Sequence, residues 1–71
     1  MSQRDVYDIL VKLGGKATTS EIKAKSKEIY PNRTLYTYVV NRLKKMEVYG
    51  YVKKEEIDGE TYWSVTDIPL R

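Results

Sequence analysis

Residues 32–52, NRTLYTYVVNRLKKMEVYGYV, constrain the fold of this chain more than any other stretch. Leu35, Val39, Leu43 and Met46 recur at helical spacing, which predicts one amphipathic helix with a narrow apolar stripe. The opposite side carries Arg33, Thr37, Asn41 and Lys44, a polar face rich in hydrogen-bond donors. Pro31 closes whatever precedes this helix, and Asn32 is its expected cap. Gly50 falls where a helix end requires a left-handed residue, and Tyr51-Val52 then opens an extended run.

Two further helices are expected upstream. Ser2 reads as an N-cap with Asp5 as its reciprocal acid, followed by an apolar face of Val6, Ile9, Leu10 and Leu13. Gly14-Gly15 ends that helix, and Lys16-Ala17 reads as a brief strand. Thr18 and Glu21 form a second capping pair, and Ile22, Ser26 and Ile29 mark the inward side of a short second helix. Downstream, residues 51–57 and 60–66 flank Asp58-Gly59. That dipeptide signals a hairpin, because a type I′ turn needs positive φ at both central residues. Val52, Trp63 and Val65 are its expected inward residues, with Trp63 packing on the first and third helices. Ile68-Pro69-Leu70-Arg71 is too short for another helix and is expected along the surface.

Composition narrows the function. Seventy-one residues make one small domain, 1–71, close to the lower size for folding without a covalent or metal staple. There is no cysteine, hence no disulfide or thiolate metal site, and no histidine, the commonest catalytic base and metal ligand. No clustered carboxylates suggest a substitute, so neither an enzyme nor a metal or other cofactor is expected. No apolar run approaches the roughly 18 residues of a membrane span and no signal peptide is visible. The simplest location is a reducing cytoplasm.

The net charge of +3 hides an asymmetry. Residues 12–54 hold eleven Lys/Arg against Glu21, Glu28 and Glu47, a balance of +8, whereas residues 1–11 balance to −1 and residues 55–71 to −4. A basic centre with acidic ends points to a polyanionic partner; the alternative is a solvated Lys/Glu-rich surface. Charged residues at 32%, seven tyrosines and no cysteine resemble a thermophile's usage.

The order α-β-α-α-β-β, with E-I-x-A at 21–24, L-x-x-M-E-x-x-G-Y-V at 43–52 and G-E-T-Y-W-S-V-T at 59–66, resembles the winged helix-turn-helix superfamily. It is similar to small regulators of the MarR/ArsR type, and most to minimal versions from thermophilic archaea and their viruses or plasmids. The resemblance covers nearly the whole chain. It implies an α+β fold of three helices and a C-terminal hairpin wing. It also implies double-stranded DNA binding, with the third helix in the major groove and the wing beside the minor groove. One departure is the wing itself, where Glu55, Glu56, Asp58 and Glu60 would be repelled by phosphates. The tip is therefore expected away from DNA, with Lys53 and Lys54 at the wing's base as its contributors.

On this reading Arg33, Thr34, Thr37 and Asn41 face the bases. Arg bonds guanine and Asn bonds adenine in the major groove, and Thr offers a hydroxyl and a methyl. Tyr36, Lys44 and Lys45 reach flanking phosphates, as does Arg42 unless it pairs with an acid or lies over the core. Thr19, Ser20 and Lys23 open the second helix, where N-terminal amides suit a phosphate oxygen; the alternative is that the hydroxyls only cap. Tyr7 and Val11 form a surplus apolar flank on the first helix, a candidate homodimer surface; Tyr30, Val40, Val48 and Tyr49 add further apolar surface.

The expected function is sequence-specific DNA binding by a transcriptional regulator with no segment left for sensing a small molecule. Two alternatives stay open: a winged-helix protein-interaction module of a transcription or replication complex, and a sequence-neutral nucleoid or RNA-binding protein.

Overall fold

The first helix, α1 (Gln3–Lys12), begins where two backbone donors find side-chain partners. Asp5 N–H donates to Ser2 Oγ at 3.2 Å, and Ser2 N–H donates to Asp5 Oδ2 at 3.0 Å. The computed structural model describes residues 2–32 and 36–70. Within them the order is α1, β1 (Lys16–Thr18), α2 (Thr19–Ile29), α3 (Tyr36–Val48), β2 (Val52–Ile57) and β3 (Glu60–Val65). This is an α+β chain in the winged-helix layout, α-β-α-α-β-β.

Helix α2 starts with the same reciprocal device, Thr18 and Glu21 exchanging bonds of 2.8 and 3.1 Å. Each box satisfies two amides that a helix start otherwise leaves without partners. The thin inward side of α2 holds Ile22 and Ser26, both fully buried. Burial of the Ser26 hydroxyl is offset by a 2.8 Å bond that it donates to the Ile22 carbonyl. The junction residues Arg33, Thr34 and Leu35 lie outside the described residues, and Asn32, the expected cap of α3, sits in a turn just ahead of them.

Gly50 ends α3 with φ of +84°, as expected from its position. Its N–H bonds the Glu47 carbonyl at 3.0 Å and the next N–H, of Tyr51, bonds Met46 at 2.9 Å. Two of the helix's terminal carbonyls are thereby satisfied in a Schellman motif. The chain reverses again at Asp58 and Gly59, whose φ values of 51° and 80° suit the expected two-residue turn.

The sheet is antiparallel in the order β1-β3-β2, with Ala17 opposite Trp63 and Trp63 opposite Lys54. Its inner side meets the helices over Val6, Ile9, Leu10, Ala17, Ile22, Val39, Leu43, Met46, Val52 and Trp63, all buried. Each large apolar side chain removed from water there contributes roughly 1.5–3 kcal/mol. Leu13, Ile29 and Val65 pack against this core from its margin. Strand β3 packs against α1 and α2, while β2 is the strand that meets α3. Trp63 shares this core with residues of α1 and α3, and its indole N–H also reaches the start of α2. The C-terminal segment follows the surface, and its Leu70 carbonyl accepts a 3.0 Å bond from the Arg4 guanidinium.

Candidate functional site

Helix α3 buries Val39, Leu43 and Met46 and turns Thr37, Asn41, Lys44 and Val48 outward at i, i+4, i+7 and i+11. That spacing lines them up in one stripe opposite the core. Thr37, Asn41 and Lys44 are exposed, as the periodicity requires. Lys44 and Lys45 form no ion pair among the described residues. Val48 extends the stripe with an apolar side chain that is 83% exposed, a feature the polar reading of this face had not included. Arg33 and Thr34, the first two expected base readers, lie outside the described residues.

Two exposed tyrosines flank the stripe at the start of α3. Tyr36 turns toward α2, where the Lys23 Nζ lies 4.7 Å from its ring centroid. Tyr38 turns the other way, with the Arg42 guanidinium 5.9 Å from its ring. Cations over aromatic faces attract the ring quadrupole. Arg42 thus lies over an aromatic ring on its own helix, a partner that stripe periodicity alone did not suggest.

The start of α2 reaches the same side. Thr18 supplies the cap, so the Thr19 and Ser20 hydroxyls are not needed for it. Thr19 Oγ1 instead accepts a 2.8 Å bond from the buried indole N–H of Trp63. Residues 18–20, Tyr36 and the hairpin tip at residues 59–61 enclose an open, polar cleft of about 220 Å³. Helix α2, helix α3 and the hairpin therefore meet at one place. Ser20, Lys23 and Tyr36 are brought together there.

The hairpin separates the two lysines at its base. Successive side chains on a strand point to opposite faces. Lys54 lies opposite Trp63, on the face turned to the helices, with Nζ 5.9 Å from the indole ring. Lys53 lies opposite Ser64, on the outer face that also carries Lys16. Only Lys54 is on the side of α2 and α3. The acidic tip is partly engaged internally: Glu55 pairs with Lys16 at 3.5 Å, and Glu56 accepts a 3.3 Å bond from the Thr61 hydroxyl.

On α1, Val11 is half exposed, but Tyr7 is partly buried against the core, with the Arg4 guanidinium 6.0 Å from its ring. Tyr30 also packs on the core from its edge. Val48 and Tyr49 are exposed at the far end of α3, as is Ile68, which lies beside Gly50. Among the described residues no three His, Cys, Asp or Glu side chains gather as metal ligands, and no helix is long and apolar enough to cross a membrane. Comparison of the chain with protein-family models returns no match, and comparison with curated proteins returns none.

Proposed function

We propose that this chain binds double-stranded DNA through the outward stripe of α3 and acts as a transcriptional regulator of the winged-helix type, working in the cytoplasm. The observation that carries this reading is the stripe itself. Thr37, Asn41 and Lys44 stand free of the core, and Lys23, Tyr36 and Lys54 lie on elements that converge beside the start of the helix. An α-helix fits the major groove, where Asn41 suits an adenine edge and Thr37 a phosphate or a thymine methyl. Lys44 and Lys45 supply sequence-independent attraction to phosphates. Of the wing lysines, Lys54 contributes on this reading and Lys53 belongs to the opposite face.

Titration of random-sequence duplex by fluorescence anisotropy at two salt concentrations tests the proposal. Binding that weakens steeply as salt rises supports it, because released counterions drive such association. No binding at low salt removes it.

A protein-interaction module is the second reading, favoured by Val48, Tyr49 and Ile68 exposed at the far end of α3. The homodimer reading rests on Val11 of α1 with the margin of Tyr7, and sedimentation of the purified chain decides it.

A further inference from the structure

The cleft between α2, α3 and the hairpin tip contains features that groove binding alone does not use. One wall is Tyr36, whose side chain is about half exposed although it sits beside packed elements. Around it stand the hydroxyl-bearing residues Thr18, Thr19, Ser20 and Thr61, with Glu60 as the one carboxylate of the lining. A nucleotide would therefore enter base first, with its phosphate held on the Lys23 side. Thr19 Oγ1 accepts from Trp63, so its own hydrogen remains available to a ligand. Lys23 Nζ lies 4.7 Å from the Tyr36 centroid, placing a positive charge against the same ring. The volume of about 220 Å³ falls below the roughly 300–1,000 Å³ of sites for drug-sized ligands, which limits the occupant to one small ring system.

A base edge in the major groove is read by donors and acceptors; an aromatic wall instead meets the face of a base. Faces are hidden in a stacked duplex and exposed only when a nucleotide leaves the stack. We propose that this cleft receives a single unpaired base, stacked on Tyr36, from DNA held along α3. The hydroxyls satisfy the edge of that base, and Lys23 meets the phosphate of the displaced nucleotide. Ser20 both donates and accepts, Thr19 keeps a hydrogen to donate, and Thr61, whose hydrogen goes to Glu56, keeps an acceptor. The cleft therefore takes any base of suitable size. This rests on the nucleic-acid reading of α3 above and names the kind of DNA that α3 holds most tightly: duplex containing a bulged or mismatched nucleotide.

Anisotropy titrations with a matched duplex and the same duplex carrying one bulged thymidine test the inference. The bulged duplex is expected to bind at least about fivefold tighter, the low end of what one base–aromatic stack contributes. Tyr36→Leu should abolish that preference, read as the ratio of the two affinities, so that any loss of a Tyr36 contact shared by both duplexes cancels. Tyr36→Phe should keep it, since the ring remains, and Tyr38→Leu should keep it, since Tyr38 lies on the other flank of α3. Equal affinity for both duplexes overturns the inference and leaves the DNA reading intact. A loss as large in Tyr36→Phe as in Tyr36→Leu also overturns it, because the hydroxyl and not the ring would then be the contact. Absence of binding to either duplex removes the DNA reading and this inference with it.

Discussion

The indole N–H of Trp63 donates a 2.8 Å hydrogen bond to the hydroxyl oxygen of Thr19, 44 residues earlier in the chain. This bond ties β3 to the first turn of α2 and fixes how the hairpin sits beside the helices. It also gives a buried donor its partner, since Trp63 is only 2% exposed. Thr19→Val removes the acceptor at nearly constant volume and leaves the N–H without a partner, at a cost of about 1–3 kcal/mol. A Trp63→Phe/Thr19→Val double-mutant cycle in urea should show coupling between the two sites. Strict additivity would mean that the bond contributes nothing to stability.

Gly50 has φ of +84°, and a Cβ built there would meet Ile68 Cδ1 at 3.4 Å. The contact is ordinary, so the backbone sets the cost. Gly50→Ala should lower stability by roughly 1–2 kcal/mol, as expected for an alanine held in the left-handed region. In a domain of this size that lowers Tm by at least about 4 °C. Calorimetry checks it, and an unchanged Tm would show that the helix end relaxes freely.

Asp5 gives the clearest pH dependence. Its carboxyl is held below the usual carboxylate range, chiefly by the Ser2 backbone N–H, with desolvation opposing and the Ser2 hydroxyl assisting. The folded state therefore prefers the ionised form. Its contribution is present above the unfolded value of about 4 and is lost as pH falls through the lower folded value. Wild type should exceed Asp5→Asn in urea midpoint at pH 7, and the gap should close as pH drops below about 4. A gap that widens in acid would contradict the capping geometry.

Lys44→Ala removes one exposed cation from the outward stripe of α3. It should weaken binding to all DNA sequences alike and reduce the slope of log affinity against log salt by about one. Asn41→Ala should instead weaken a selected site by roughly 1–3 kcal/mol while leaving random duplex nearly unchanged. An unaltered slope for Lys44→Ala would place that residue outside the interface.

Elements fixed by neighbours in sequence were readable in advance. Ser2 with Asp5, Thr18 with Glu21, Gly50 and Asp58-Gly59 each depend on residues no more than a few positions apart, and all stand as expected. The core followed for the same reason, because helical spacing alone decides which side Val39, Leu43 and Met46 take. Contacts across the fold were not readable. Trp63 was recognisable as core, but its partner Thr19 depends on how β3 crosses α2, which no local pattern encodes. Lys53 and Lys54 looked equivalent until pairing with Ser64 and Trp63 set them on opposite faces. Tyr7 looked like surplus apolar surface because its burial depends on elements packed against α1 from elsewhere.

The most direct test of the DNA-binding face is an amide chemical-shift map of the labelled protein titrated with a short duplex. Perturbations gathered on Thr37, Asn41, Lys44 and Lys45, extending to Ser20 and Lys23 of α2, are the predicted result. Shifts confined to α1 around Asp8 and Val11, or to the far end of α3 around Tyr49 and Ile68, would contradict it.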